Sequence, residues 1–181
     1  TVAATTFKKS DQEGRGWIGL RFQRKIQGES NDLVMHVRLF DKDPIVQQEQ
    51  IGILGVNMIY GAFHLLDSPE ELLANLTEGL KENSIEVEMI RITGPDVTHI
   101  DNRVLAMALM EQGLTNAILF DPSGAVVQPS EVLFKKNVIV QRGSFRPFTL
   151  LHQDIMTKGR DQFCDDKGGC DLSNTIMLME M

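Results

Sequence analysis

Two consecutive stretches of this chain alternate apolar and polar residues with period two, and that pattern constrains the start of the fold more than any other feature. In "WIGLRFQRKI" Ile18, Leu20 and Phe22 oppose Arg21, Gln23 and Lys25, and in "DLVMHVRLF" Leu33, Met35, Val37 and Leu39 oppose His36 and Arg38. The polar link "QGESN" between them predicts an antiparallel hairpin with one buried and one wet face.

After the hairpin the period changes. Asp43 followed by Pro44 predicts an N-cap and a first helical turn, opening an apolar helix through "IVQQEQIGILGVNMIYGAFHLL". Gly52, Gly55 and Gly61 each weaken such a helix by ~1 kcal/mol relative to alanine. Close packing against a neighbour is therefore expected to offset them. "SPEE", with Ser68, Pro69 and Glu71, has the form of a capping box for a second helix carrying Leu72, Leu73, Leu76 and Leu80 on one face. Asp101 is positioned to cap a third, "NRVLAMALMEQ", which Gly113 ends.

The strands predicted at 85–93, 116–121, 137–142 and 175–181 are largely apolar, and helical patterns separate at least two of their pairs. Apolar strands interleaved with helices imply parallel strands covered on both faces. The expected fold is thus a single α/β domain over 1–181: a three-layer, mostly parallel, Rossmann-like sheet preceded by the antiparallel hairpin. "TIMLMEM" stops in mid-strand and the chain starts abruptly, so the expectation is a segment of a longer protein.

Composition enters mainly through what it excludes. A net charge of −7 disfavours nucleic acid as a partner, because that affinity comes largely from Lys and Arg neutralising phosphates. No apolar run approaches the ~20 residues of a membrane span, and the first residues lack a signal-type apolar region, so no membrane is expected and the compartment expected is the cytoplasm. Cys164 and Cys170, in "CDDKGGC", are too few for a disulfide framework and lack metal-site spacing. They are expected as two free thiols with no metal.

In an open parallel sheet, ligands bind beyond the carboxyl ends of the strands, where loop amides and helix N-termini meet anions. The strongest loop on that criterion is "RGSFRP". Gly143 lets backbone approach a ligand, Ser144 supplies a hydroxyl, and Arg142 and Arg146 can fork around phosphate or carboxylate oxygens. The competing account is a turn whose arginines pair with surface carboxylates, with Glu180 a candidate partner if it is buried. "HIDNR" brings together His99, a candidate general acid or base, and Asp101, a candidate to orient it or simply a helix cap. Asp121 ends a strand in "DPSG", where it suits a ribose hydroxyl or magnesium but equally closes a turn. "GRGWIG" has the letters of a dinucleotide fingerprint but leads into a strand rather than a helix, and no Walker A lysine motif or G-x-S-x-G elbow is present.

The segments "EGRGWIGLRFQ", "HVRLFDKDPIVQQEQIGILGVNMIYGAFHLL", "HIDNRVLAMALMEQGLTNAILF", "QPSEVLFKKNVIVQRGSFRP" and "IMLMEM" resemble, in this order and nearly end to end, one bacterial family. Its members bear the names nicotinamide-nucleotide adenylyltransferase and TonB-dependent receptor. The first name implies nucleotidyl transfer to a mononucleotide, and the second an outer-membrane barrel of many tilted strands, which is not the pattern here. The H-x-G-H phosphate motif typical of such transferases is not among the four histidine settings, "HVRL", "HLLD", "HIDN" and "HQDI". The "CDDKGGC" loop also departs from the family pattern.

The leading expectation is an α/β module binding a nucleotide or other phosphorylated metabolite, with nucleotidyl transfer as the activity the resemblance implies and no cofactor specified. Arg142, Gly143, Ser144, Arg146 and Asp121 would bind, and His99 and Asp101 would transfer protons. The alternative is a non-enzymatic assembly module that packs through the 44–66 helix against flanking domains or a second subunit.

Overall fold

The computed structural model describes residues 2–7, 13–166, 168 and 171–181, with side chains from residue 13 onward. Within them the chain forms two compact units, 1–128 and 129–181.

The first unit is built on a four-stranded antiparallel sheet of β1 (Val2–Phe7), β2 (Gly14–Phe22), β3 (Asn31–Leu39) and β4 (Ile85–Thr93), in that spatial order. β2 and β3 are the two alternating stretches, paired from Gly14 opposite Leu39 to Phe22 opposite Asn31. Even-numbered residues of β2 and odd-numbered residues of β3 point into a core in which Ile18, Leu33, Met35, Val37 and Leu39 are fully buried. That face packs against α1 (Pro44–His64), α2 (Pro69–Leu76) and α3 (Asn102–Glu111), which contribute Leu54, Met58, Leu72, Leu73, Leu76 and Leu109.

The local signals for these helices act as the residue types dictate. Asp43 accepts from the Ile45 amide at 2.8 Å with Pro44 just inside the helix, and Gly113, at φ +70, follows α3. Gly61 is the glycine that packing requires: a Cβ there would lie 2.4 Å from Cδ1 of Leu72, so α1 and α2 approach through it. Gly52 meets nothing within 4 Å and has no such reason. Ser68 stands at the N-cap of α2, but its side chain makes no cap bond.

The expected three-layer, mostly parallel, Rossmann-like sheet is not what forms. β4 pairs antiparallel with β3, beginning where β3 ends, with Ile85 opposite Leu39. The reason lies in the connection. Two successive helices return the chain to the end of the sheet it left, whereas a parallel neighbour needs a single crossover. The strand expected at 116–121 contracts to β5 (Leu119–Phe120), paired with β6 (Val126–Val127) across the Asp121 turn.

The second unit comprises α4 (Pro129–Val132), β7 (Asn137–Arg142), α5 (Leu150–Asp166) and β8 (Thr175–Glu180). β7 and β8 pair in parallel, Asn137 opposite Thr175 through Arg142 opposite Glu180, as a separate two-stranded sheet. Cys164 is disulfide-bonded rather than a free thiol, and Cys170 lies outside the described residues. Among the described residues no helix is long and apolar enough to cross a membrane.

Candidate functional site

The segments 98–103 and 123–126, which contain or adjoin two of the loops singled out by sequence, line one open cleft of about 540 Å³ in the first unit, together with Arg91 of β4. Its walls are fixed by side chains that satisfy backbone groups. Asn102, the first residue of α3, accepts from the Ile92 amide at 2.7 Å and donates to the Ile92 carbonyl at 2.9 Å, tying the helix start to β4. Asn31 accepts from the Asp96 amide and donates to its carboxylate. Gly94 makes that contact possible, because it sits at φ +142 with Asn31 Oδ1 2.3 Å from where a Cβ would stand.

Asp101 caps α3, accepting from the Arg103 amide at 2.9 Å, and also holds the Arg103 guanidinium through Nε at 3.1 Å and Nη2 at 2.7 Å. The Arg103 side-chain bonds, then its amide, bring the carboxyl pKa down to about 2. Asp101 is therefore engaged as a cap and does not orient His99. His99 Nε2 instead lies 3.6 Å from Asp67, and both are exposed.

Asp121 is likewise used by its own turn. It accepts from the Ser123 hydroxyl, and from the Ala125 and Ser123 amides at 3.0 and 2.8 Å, which together lower its pKa. The turn carries Gly124 at φ +84 close to the Arg103 stem. Arg91 is different. It is exposed on the sheet face away from the core, and its guanidinium makes no hydrogen bond or close ion pair among the described residues; at longer range its charge adds to the Arg21 bond in holding the Asp32 carboxyl of β3 below its usual value.

The "RGSFRP" loop lies in the second unit, after β7. Arg142 donates to Glu180 at 2.6 Å, and the Gly143 amide donates to the Glu180 carbonyl at 3.0 Å. Glu180 is exposed, so this is a surface pair rather than the rescue of a buried charge. Ser144 and Arg146 are exposed, and Phe145 and Phe148 turn toward the His152 ring, with centroids 5.1 and 5.7 Å away.

Sequence reasoning missed a buried polar cluster. His36, on the face expected to be wet, is only 6% exposed. Its Nδ1 bonds Glu88 Oε2 at 2.7 Å, the Gln128 amide donates to the same oxygen at 3.0 Å, and Trp17 meets the imidazole edge-on at 4.9 Å. Burial raises the Glu88 pKa, but the His36 bond, the Arg15 charge 3.9 Å away and Gln128 outweigh it, and the net direction is down. The register shift between His36 and Val37 belongs to this arrangement. The sequence signal was the pair of glutamates in "IEVEMIRIT"; nothing local marked Gln128. Among the described residues, no group of three or more His, Cys, Asp or Glu stands together to hold a metal ion.

Comparison with protein-family models, with curated proteins and with solved structures finds no match to this chain.

Proposed function

We propose that the 1–128 unit binds a small anionic ligand, a nucleotide or other phosphorylated metabolite, in the cleft between the start of α3 and the 123–126 turn. The observation that supports this is Arg91: an exposed guanidinium that makes no hydrogen bond or close ion pair among the described residues, on the wall of a cleft that also presents Arg103 and His99. A planar fork of donors recognises phosphate or carboxylate oxygens bidentately, and Arg91 carries that role here, since Asp101 already holds Arg103 through two side-chain bonds. The loop at 142–147 takes no part in this reading, because Arg142 is already neutralised by Glu180. Nucleotidyl transfer is the further activity that the family resemblance implies for such a binding site.

The test is a thermal-shift panel of nicotinamide mononucleotide, ATP with magnesium, NAD and inorganic phosphate. A ligand at 100 times its dissociation constant adds about 2.7 kcal/mol of stability. The expected result is a shift with at least one phosphorylated compound that Arg91→Ala abolishes and Arg142→Ala leaves intact. A shift insensitive to Arg91→Ala, or no shift from a folded chain, overturns the reading. A second reading, assembly through α1, rests on the exposed apolar side chains of that helix.

A further inference from the structure

We propose that the outer face of α1 docks a second copy of this chain, with the two α1 helices antiparallel across a two-fold axis. The buried face of α1 runs through Gln47, Gln50, Leu54, Met58 and Ala62. Opposite that face lie Ile45, Glu49, Gly52, Val56, Ile59 and Phe63, with Tyr60 beside them; the Phe63 ring meets the core residue Phe22 edge-on at 5.7 Å and leaves about half its surface exposed. Ile45, Val56, Ile59, Tyr60 and Phe63 are 42 to 75% exposed, far from the ordinary state of large apolar side chains clustered on one helix face.

The spacing identifies the occupant. The six positions are separated by 4, 3, 4, 3 and 4 residues, the seam that two helices use to pack knobs into holes. This series reads the same in reverse, so an antiparallel copy presents the same seam back. Ile45 then faces Phe63 of the other copy, Glu49 faces Ile59, and Gly52 faces Val56. The open space at Gly52, where nothing lies within 4 Å, receives the exposed Val56. That gives the glycine a use the monomer does not.

A parallel pair would set Glu49 against Glu49 and Gly52 against Gly52, placing like charges together and leaving a hole. In the antiparallel pair Glu49 lies instead near the Tyr60 hydroxyl, a donor for its carboxylate. Charge favours this face in a second way. The chain carries a net −7, yet α1 contains a single acidic residue, so two copies meeting through this face bring few like charges together.

Area agrees with a reversible contact. The five exposed side chains present on the order of 600 Å² between them, at the top of the range for the largest patch on a monomer. Doubled by symmetry this reaches the ~1,200 Å² at which specific interfaces begin. A dimer in equilibrium with its monomer is the consequence.

The experiment is sedimentation equilibrium across a wide concentration range on the chain itself, on Val56→Glu and on Gly52→Glu, with circular dichroism confirming that each variant folds. Both positions are exposed, and Gly52→Glu removes a helix-weakening residue, so neither variant should unfold the protein. The expected result is a concentration-dependent dimer that each variant weakens at least about tenfold. Orientation is read by mixing Ile45→Cys chains with Phe63→Cys chains and adding a short bis-maleimide, with the unsubstituted chain as blank.

Cross-linking between the two kinds of chain supports the antiparallel pair, in which like positions at the seam ends are about 27 Å apart along the axis. A monomer at every concentration overturns the docking surface. A dimer indifferent to both glutamates overturns its location, and cross-linking of Ile45→Cys chains to one another overturns its direction. None of these outcomes bears on the anion cleft.

Discussion

The two units use similar apolar residues and obtain very different interiors from them. In the first, β2, β3 and β4 present one apolar face and three helices close over it, so that Leu33, Met35 and Ile90 have no exposed surface. In the second, β7 and β8 are as rich in Val, Ile and Met, yet Val140 is 52% and Met179 is 53% exposed. Met156 of α5 is the one buried hydrophobic residue among those described there. The difference lies in cover rather than composition. An antiparallel sheet needs one face covered, whereas a parallel pair relies on cover over both.

Hydrogen exchange should display this contrast most strongly. Amides of Leu33, Met35 and Val37, in the centre of the antiparallel sheet, should open only near global unfolding, while those of Val138 and Val140 open locally. The expected separation in exchange rate is at least about a thousandfold, or ~4 kcal/mol. Equal protection in the two sheets would mean that cover does not set their stability. Truncation gives a smaller effect of the same sign. Met35→Ala should cost ~2–5 kcal/mol in denaturant unfolding, because a fully buried side chain leaves a cavity. Val140→Ala should stay within about 0.5 kcal/mol, as substitutions at exposed positions do.

Legibility in the sequence followed the range of the interaction. The β2–β3 hairpin and the caps at Asp43 and Asp101 depend on neighbours a few residues away, and period or residue type identifies them. The partner of β4 depends on how α1 and α2 together return the chain, forty-five residues after β3, and its apolar run reads equally well for either sheet type. Asp101 illustrates the limit at the candidate site. The same letters "HIDNR" serve a catalytic pair or a helix cap, and only the Arg103 and Asp67 positions decide between them. The cleft itself joins residues twenty or more positions apart, and the His36–Glu88–Gln128 cluster joins three distant ones. Cysteine counting failed similarly, since two cysteines with no framework around them still leave Cys164 in a disulfide.

That buried cluster extends the comparison to polar groups. Glu88→Ala would leave His36 and Gln128 without their shared acceptor, at an expected cost of about 1–3 kcal/mol. Because the Glu88 pKa is lowered on folding, the stability it adds is fully present above the ordinary value of 4.5 and is lost as the pH falls through its lower folded value. Glu88→Gln should therefore flatten the acid limb of a stability-against-pH curve. An unchanged acid limb would place the pH dependence elsewhere.

The smallest effect belongs to the polar pair of the second unit. Arg142 and Glu180 are joined at 2.6 Å but remain in water, 79% and 47% exposed, so desolvation is slight and solvent screens their attraction. Arg142→Ala should not resolvably move the unfolding midpoint, and its small effect should not differ between low and high salt. The same substitution tests whether the 142–147 loop holds an anion. If Arg142 only answers Glu180, its loss leaves every phosphate-dependent thermal shift in place. A shift that disappeared with Arg142→Ala while surviving Arg91→Ala would return the anion site to the 142–147 loop, because a ligand phosphate would then be displacing the Glu180 carboxylate from the same guanidinium.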